Sequence, residues 1–266
     1  MDLATRIPVL DRAISQLRRA SPGELAGLAA GILGAFGLYR WARQDYKLYM
    51  SYGPGGLPYN IFGWLVSTAV LRPMGTNVLT TGLYDDFAEK RTWLPSGWPT
   101  KGREGDRPTL GPHPLPQRQL NQLASADMHK ELEQAFSDLV DANTQLVHFS
   151  PSKHEGHTDA IFLNDDHHKS AIVQQMLGEI SHIHATGDHS VHVILAPGDC
   201  KRVIESGWGQ RHPLDGVGSA RLIFGWTIPK EYILLYAPRN KREIQVIMQI
   251  VRASIGFAAN STNVST

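Results

Sequence analysis

A continuous apolar run from Leu25 to Tyr39 lies near the amino terminus, and it limits most strongly what this part of the chain can fold into. Ser21 and Pro22 precede the run as a helix-start signal, and Arg40 and Trp41 follow it. The run is shorter than the ~20 residues of a typical spanning helix, but flanking tryptophan and arginine side chains can extend it to the membrane interfaces. Because the run has no polar face, we expect a single anchor in the endoplasmic reticulum or another internal membrane. A buried core helix and a cleaved signal peptide are the alternatives.

Other features divide the rest of the chain. Residues 1–20 carry apolar side chains at helical spacing among arginines, which predicts a basic amphipathic helix. The residues that form this pattern are Ile7, Leu10, Ile14, Leu17, Arg6, Arg12, Arg18 and Arg19. A second apolar run, from Tyr59 to Leu71, is too short to span and is expected to lie on the membrane surface or to pack on the globular body. The Pro/Gly-rich segment 95–116 is the expected boundary. Three regions are predicted: an anchor region 1–48, a helical and loop region 49–116, and a globular domain 117–266.

The composition excludes several functional classes. The chain has 266 residues, of which 42% are apolar, and a net charge of +1 that gives no electrostatic reason to expect a nucleic-acid partner. Its single cysteine, Cys200, cannot form an internal disulfide, and its twelve histidines favour imidazole and carboxylate ligands for any metal. The sequence lacks the P-loop, nucleophile-elbow and HExxH motifs, which removes the main signals of P-loop NTPases, α/β-hydrolases and zincins. None of these features predicts the oligomeric state.

From Ser125 onward the chain alternates short helices and strands. Strands are predicted at Leu146–Phe149, His157–Leu163, Ile180–Ala185, Ser190–Ala196 and Tyr232–Tyr236. Asp199 is expected to cap a short helix that Gly207 ends, and Asn240 is expected to open the last helix with Glu243 three residues on. Strands joined by tight turns between helices predict an α+β fold, in which a small, mostly antiparallel sheet packs with helices and follows the anchor helix.

The predicted hairpin of residues 180–196 carries the main site signal. Its odd-numbered apolar residues should share the face toward the core: Ile183, Val191, Val193 and Leu195. The opposite face then carries three histidines within side-chain reach of one another, with a carboxylate just before them. These residues, which we assign to catalysis, are His182, His184, His192 and Glu179. The alternative is a solvated polar face with incidental histidines.

The loop from Gly207 to Pro213 is the second candidate group. Its glycines allow tight turns, and Arg211 and His212, which we also assign to catalysis, place a permanent cation beside a titratable base. The alternative is a structural loop in which Trp208 fills the core and Arg211 pairs with a carboxylate such as Asp215. The residues assigned to substrate binding are Trp208, His157, Gln210, Tyr236 and Arg239.

Seven segments follow one another along nearly the whole chain. They are EKRTWL (Glu89 to Leu94), QRQ (Gln117 to Gln119), SKHEGHTDAIFL (Ser152 to Leu163), EISHIH (Glu179 to His184), GWGQRHPL (Gly207 to Leu214), LYAPRN (Leu235 to Asn240) and ASIGF (Ala253 to Phe257). In this order, and with an apolar anchor before them, they resemble the fungal luciferases, and GWGQRHPL is the most specific piece. The chain departs from that pattern in the long Pro/Gly insertion before Gln117 and in extra residues from Val217 to Thr227. The resemblance implies oxidation of 3-hydroxyhispidin, an α-pyrone, with O2 and without an added cofactor, to caffeylpyruvate, CO2 and light.

Such a reaction needs a base that removes the 3-hydroxyl proton, a cation that holds the enolate, and exclusion of water. A hairpin histidine oriented by Glu179 is the expected base, and Arg211 is the expected cation. O2 is expected as co-substrate and an aromatic pyrone as small-molecule partner, with no cofactor and no metal. Two alternatives stay open. One is a cupin-like dioxygenase with a metal on His182, His184 and His192, and the other is a non-enzymatic, membrane-associated protein that binds a small ligand.

Overall fold

The computed structural model describes residues 8–99, 101–221, 225 and 227–266. The chain forms two compact units, Met1–Leu48 and Tyr49–Thr266. The regions 49–116 and 117–266 therefore belong to one unit. Arg6 and Ile7 of the predicted amphipathic helix lie outside the described residues.

Two helices form the amino-terminal part of the chain: α1, Pro8–Arg19, and α2, Pro22–Ser51. A capping box starts α2, because the Glu24 amide donates to the Ser21 hydroxyl at 3.3 Å and the Ser21 amide donates to the Glu24 carboxylate at 2.7 Å. The most apolar 18-residue window of α2 contains no buried residue. With 30 residues, the helix is long and apolar enough to cross a membrane.

The second apolar run forms a mixed helical segment. Its parts are α3, Ile61–Leu65, a π-helical turn, Val66–Leu71, and a 3-10 turn, Arg72–Met74; a further 3-10 turn follows at Gly82–Asp86. Trp64 and Leu71 are buried, and Ser67 Oγ donates to the Leu115 carbonyl at 2.6 Å. Phe62, in contrast, is 71% exposed. One side of the segment therefore packs on the body, and the other side leaves apolar groups uncovered.

Six strands form one sheet, and the fold is α+β as predicted. The strands are β1, Val147–Pro151; β2, Asp159–Leu163; β3, Glu179–Ile183; β4, Val191–Ile194; β5, Gly209–Arg211; and β6, Tyr232–Leu235. Their order is β1-β2-β3-β4-β6-β5, and each neighbouring pair is antiparallel. Five strands match predicted ones, with small shifts at their ends. The sequence does not predict β5, because a three-residue strand that begins at a glycine shows no alternation.

The remaining helices are α4, Ala126–Asp141; α5, Ala171–Gln175; α6, Pro197–Glu205; and α7, Lys241–Ala259. Asn240 caps α7 as predicted, since its side chain accepts from the Glu243 amide at 3.0 Å. Asp199 is not the cap of α6, because that helix already begins at Pro197. The Asp199 carboxylate accepts instead from the Trp93 amide at 2.8 Å. α7 packs across β2, β3 and β4, and α4 packs against α7 and β1.

The two faces of the β3–β4 hairpin differ as the alternation predicts. Ile183 pairs with Val191, and both belong to the hydrophobic core that α4 and α7 complete. His182 pairs with His192, so these two rings lie on the opposite face. This face is not solvated: His182, His184 and His192 are 2%, 1% and 4% exposed. The fold therefore buries three imidazoles beneath the segments that cover the sheet.

Candidate active site

A cavity of about 150 Å³ lies on the histidine face of the sheet. The sheet side of the cavity is formed by His182, His184, His192, Tyr232 and His212. Three loops form the other walls: Gly55 and Gly56, residues 115–118, and residues 153–155. The site thus combines the hairpin with loops that are distant in sequence, and two of the loops come from the region before residue 119.

Two hairpin histidines donate their Nδ1 protons to groups behind the cavity. His182 Nδ1 lies 2.6 Å from Glu179 Oε1, and His192 Nδ1 lies 3.2 Å from the Ile233 carbonyl oxygen. A carboxylate and a carbonyl oxygen only accept, so Nδ1 carries the proton in both rings. In the neutral form of either ring, Nε2 is then a lone-pair acceptor.

His184 has the same arrangement at the hairpin turn. Its Nδ1 lies 2.9 Å from Ser190 Oγ and 3.2 Å from Asp188 Oδ1. Ser190 Oγ itself donates to Asp188 Oδ1 at 2.7 Å, so the hydroxyl can accept the His184 proton. Asp188 also accepts from the Gln119 amide, which ties the turn to the residue that follows the loop of residues 115–118. One ring nitrogen from each of the three histidines lies within 4.8 Å of the others, and this trio is the group in the site that could hold a metal.

A bulge brings Glu179 to the histidine face. The register between β2 and β3 shifts by one residue, with Ile180 as the additional residue. The shift lets Ile180 face the hydrophobic core and turns Glu179 toward His182, although alternation alone would place it on the other face. Ser152 Oγ donates to Glu179 at 3.0 Å and the Lys153 amide donates at 2.7 Å. These bonds fix the carboxylate beneath the imidazole.

Burial controls the charge of the site. It lowers the pKa of His184 and of His192 well below the ordinary value, and it lowers the pKa of His212 to about 3. Burial alone would raise the pKa of Glu179, but the hydrogen bond and charge of His182 outweigh it, so this pKa is lowered. At neutral pH His184, His192 and His212 are therefore uncharged, and Glu179 is ionised.

His212 and Tyr232 complete the sheet side of the cavity. The Leu214 amide donates to His212 Nδ1 at 3.1 Å, so the proton of this neutral ring is on Nε2. His212 is thus a hydrogen-bond donor, whereas the hairpin histidines offer acceptors. The Tyr232 ring stacks on His192, with ring centres 4.3 Å apart and an interplanar angle of 9°.

Arg118 and Glu155 form a buried ion pair in the cavity wall. The Arg118 guanidinium also donates to the carbonyls of Tyr52 at 3.2 Å and Pro54 at 3.0 Å. A Cβ at Gly55 would lie 2.5 Å from Arg118 Nη2, so glycine allows the guanidinium to lie this close to the backbone. The pair therefore depends on the turn at residues 52–55.

Two further polar groups in the cavity wall are available to a ligand. Gln117 Oε1 is buried and has no hydrogen-bond partner among the residues the structure describes. Lys153 is exposed and is one of the residues that line the cavity, so its cationic side chain belongs to the solvent-facing part of the wall. A buried acceptor without a partner and a cation at the entrance are both typical of a site that binds a polar ligand.

The match with known proteins includes this site. The luciferase domain family matches residues 177–254, which contain the hairpin and His212. The chain is 36% identical to a luciferase of Armillaria mellea over 236 residues, 84% of this chain and 83% of that protein. It is 34% identical to a luciferase of Neonothopanus nambi over 263 residues, 94% of each. The chain belongs to the fungal luciferase family. No solved structure matches it.

In this fungal luciferase family chain, the structure brings together His182, His184, His192, Glu179 and His212. The structure places two other predicted site residues, Arg211 and Trp208, outside the wall of this cavity. Arg211 does not line the cavity, because it forms a buried ion pair with Asp215 in which Nε lies 2.7 Å from Oδ2. Trp208 lies in the hydrophobic core. Both residues therefore have the structural contacts described above as the alternative: Trp208 fills the core, and Arg211 pairs with Asp215.

The other predicted substrate-binding residues also lie outside the cavity wall. Gln210 Oε1 accepts from the Tyr236 hydroxyl at 3.1 Å. Arg239 pairs with Glu243, and Nε lies 2.8 Å from Oε1. His157 is exposed in the loop before β2. The hydrogen bonds of Gln210, Tyr236 and Arg239 stabilise the fold around the luciferase site.

Arg118, Glu155 and Gln117 are among the site residues that were not predicted from the sequence. They lie in loops, where no hydrophobic periodicity marks a buried side chain. The segments QRQ and SKHEGHTDAIFL, which carry part of the fungal luciferase resemblance, contain all three. Polar residues in these segments were therefore the signal that could have identified them.

Proposed function

We propose that this protein oxidises a 3-hydroxy-α-pyrone of the 3-hydroxyhispidin type with O2, giving a caffeylpyruvate-type product, CO2 and light. The main structural support is the buried cavity in which neutral histidines face the ion pair of Arg118 and Glu155. Membership of the fungal luciferase family supports the luciferase-like reaction, because relatives that share most of the chain are luciferases.

The cavity suits the reacting ring of such a substrate. Its volume of about 150 Å³ is below the roughly 300–1,000 Å³ of typical ligand pockets. One oxygen-bearing ring fits inside, and the aromatic arm must leave past the rim at Gly56, Leu115 and Lys153. A flavin or nicotinamide cofactor does not fit beside the ring, which supports O2 as the co-substrate without an organic cofactor.

The polar groups match the charges of the reaction. Oxygenation needs the pyrone as an electron-rich enolate. Without a bound metal ion, the Nε2 atoms of the hairpin histidines would accept the 3-hydroxyl proton, and Glu179 would stabilise the positive charge that develops on His182. His212 Nε2–H and the Arg118 guanidinium stabilise the negative charge on the substrate oxygens. Burial keeps water away from the enolate until O2 reacts.

We further propose that α2 anchors the protein to the endoplasmic reticulum or another internal membrane. The unburied apolar window of α2 supports this proposal. An aromatic pyrone partitions into lipid, so membrane attachment would raise its concentration near the protein.

The reaction is tested with full-length protein in detergent and 3-hydroxyhispidin in air-saturated buffer. Photons, O2 uptake and caffeylpyruvate are followed together, with 18O2 to trace the incorporated oxygen. We expect oxidation that stops without O2, and a loss of about 100-fold or more for Glu179→Gln if the orientation of His182 matters to proton transfer. His168→Gln, which alters an exposed histidine, is the matched control and should keep full activity.

Three outcomes separate the alternatives. Oxidation with photons supports the whole proposal, and oxidation without photons removes only light emission. Binding of the pyrone by folded protein without O2 uptake would overturn the oxygenase and support the non-enzymatic ligand-binding alternative.

A further inference from the structure

We infer that His182, His184 and His192 bind one divalent first-row transition-metal ion through their Nε2 atoms. The sequence favours direct acid–base chemistry and leaves such an ion as an alternative. Three observations now support the ion: the ring positions, the Nδ1 partners and the buried charge. None of the three rests on the proposed function.

The ring positions match a three-histidine metal site. The ring centres of His182 lie 5.3 Å from those of both His184 and His192, and the centres of His184 and His192 are 4.9 Å apart. A tetrahedral ion bound about 2.1 Å from each nitrogen places the ring centres roughly 5 Å apart. The backbone therefore already holds the rings at the spacing that an ion requires.

The Nδ1 partners are those of metal-binding histidines. Such a histidine usually donates its second ring proton to a carboxylate or a backbone carbonyl, which fixes the tautomer and orients Nε2. His182 has Glu179 as this partner, His184 has Asp188 with Ser190, and His192 has the Ile233 carbonyl. All three Nε2 lone pairs are thereby left for one cavity, where a cation can satisfy them together.

The buried charge also calls for a cation. Among the described residues that line the cavity or bond to its lining, three carboxylates are buried: Glu155, Glu179 and Asp188. The buried guanidinium of Arg118 balances one of them, and Lys153 is exposed to solvent at the rim. Buried carboxyl groups around the three rings thus outnumber the buried cationic side chains. A metal ion bound at the rings would lie close to these carboxyl groups, which favours its binding.

The donor set restricts the kind of ion. Three neutral imidazoles without a thiolate suit Fe²⁺, Mn²⁺, Co²⁺, Ni²⁺, Cu²⁺ or Zn²⁺ rather than Mg²⁺ or Ca²⁺. Three protein ligands leave a coordination position for water or a substrate oxygen. In the proposed reaction, the ion would bind the 3-hydroxyl oxygen and lower its pKa, so that the three rings would act through the ion rather than as bases.

The test measures metal per chain by mass spectrometry in the full-length protein, purified in detergent without a polyhistidine tag. The protein is depleted with a chelator, incubated with each of the six ions separately and freed of excess ion. We expect one ion per chain. Asparagine keeps an N–H near the position of Nδ1 and removes Nε2, so His182→Asn, His184→Asn and His192→Asn should each weaken metal affinity by more than about tenfold. His212→Asn is the matched control and should retain the ion, because its Nδ1 is already occupied by the Leu214 amide and its Nε2 carries a proton.

Cobalt gives a second measurement that does not depend on the folding of a variant. Visible Co²⁺ bands of the wild-type protein should show nitrogen ligation, and bound metal should raise its melting temperature. Protein that takes up none of the six ions, or a triple asparagine variant that keeps the ion, would overturn the inference. Metal-free protein that still oxidises the pyrone would overturn the ion and leave the proposed function standing. Protein that binds one ion but does not oxidise the pyrone would support the metal site and overturn the proposed function.

Discussion

Arg118 and Arg211 are both buried, and their partners give them different roles. Each forms an ion pair with a carboxylate, Arg118 with Glu155 and Arg211 with Asp215. Arg118 lies in the cavity wall, whereas Arg211 donates at 3.2 Å to the carbonyl of Asn77. Arg211 therefore holds the segment at Asn77, which precedes the 3-10 turn Gly82–Asp86, against the edge strand β5. Its side chain does not line the cavity.

Replacement of Arg211 by Met tests this structural role. Asp215 would be left buried without its partner, although burial already raises its pKa. We expect a loss of about 3–5 kcal/mol in the free energy of unfolding, with an unchanged KM per folded molecule. Chemical denaturation and steady-state kinetics measure the two effects. The double variant Arg211→Met with Asp215→Leu should regain part of the lost stability. A tenfold rise in KM in protein that remains folded would contradict the structural role and indicate that Arg211 contacts the substrate.

At the scale of the elements, alternation within the β3–β4 hairpin correctly predicts which side chains face the core and which histidines lie together. The odd and even positions separate as expected, so Ile183 and Val191 lie in the core and the three histidines lie together. The bulge at Ile180 does not follow from alternation, because it depends on the pairing of β3 with β2. The ion pair of Arg118 and Glu155 joins two loops 37 residues apart, and no local pattern reports such a contact. Periodic elements are thus predictable from the sequence, whereas the loops that close the cavity are not.

Val193→Ala tests the core face of the hairpin. Val193 is fully buried in β4, and its truncation should lower the free energy of unfolding by ~1–3 kcal/mol. Leu123→Ala, at a loop residue that is 53% exposed, is the control and should change it by less than about 0.5 kcal/mol. Denaturation curves give both values. Activity per folded molecule should stay at the wild-type level in both variants, and a selective loss of activity in stable Val193→Ala protein would contradict the separation of the two faces.

At the scale of the whole molecule, the chain combines a helix whose most apolar window has no buried residue and a compact unit that contains the site. The residues that line the cavity all belong to the unit Tyr49–Thr266, and they come from both sides of the Pro/Gly-rich segment 95–116. That segment therefore does not separate the site from the preceding region. The first unit supplies no cavity residue, so its apolar helix can serve attachment without a part in the chemistry.

Two lysines in the apolar window of α2 test the anchor. Ile32 and Leu33 are 60% and 70% exposed, and replacing both with Lys should disfavour insertion by roughly 5 kcal/mol or more. We expect wild-type protein in the membrane pellet after high-salt washing and the double variant in the high-speed supernatant. Gln44→Lys, at an exposed position near the polar end of the helix, is the control and should stay in the pellet. Because the cavity lies in the other unit, the released variant should retain its activity per folded molecule.

The amino terminus of the wild-type protein separates an anchor from a cleaved signal sequence. An anchor leaves Leu25–Tyr39 in the mature chain, so peptides from this run should be recovered by mass spectrometry from the membrane fraction. A mature chain that begins after Tyr39 would identify α2 as a signal sequence. If untagged full-length protein stays in the supernatant without detergent, the anchor is excluded. The described residues do not bury the apolar window of α2, so a membrane-inserted helix would not remain in solution without detergent.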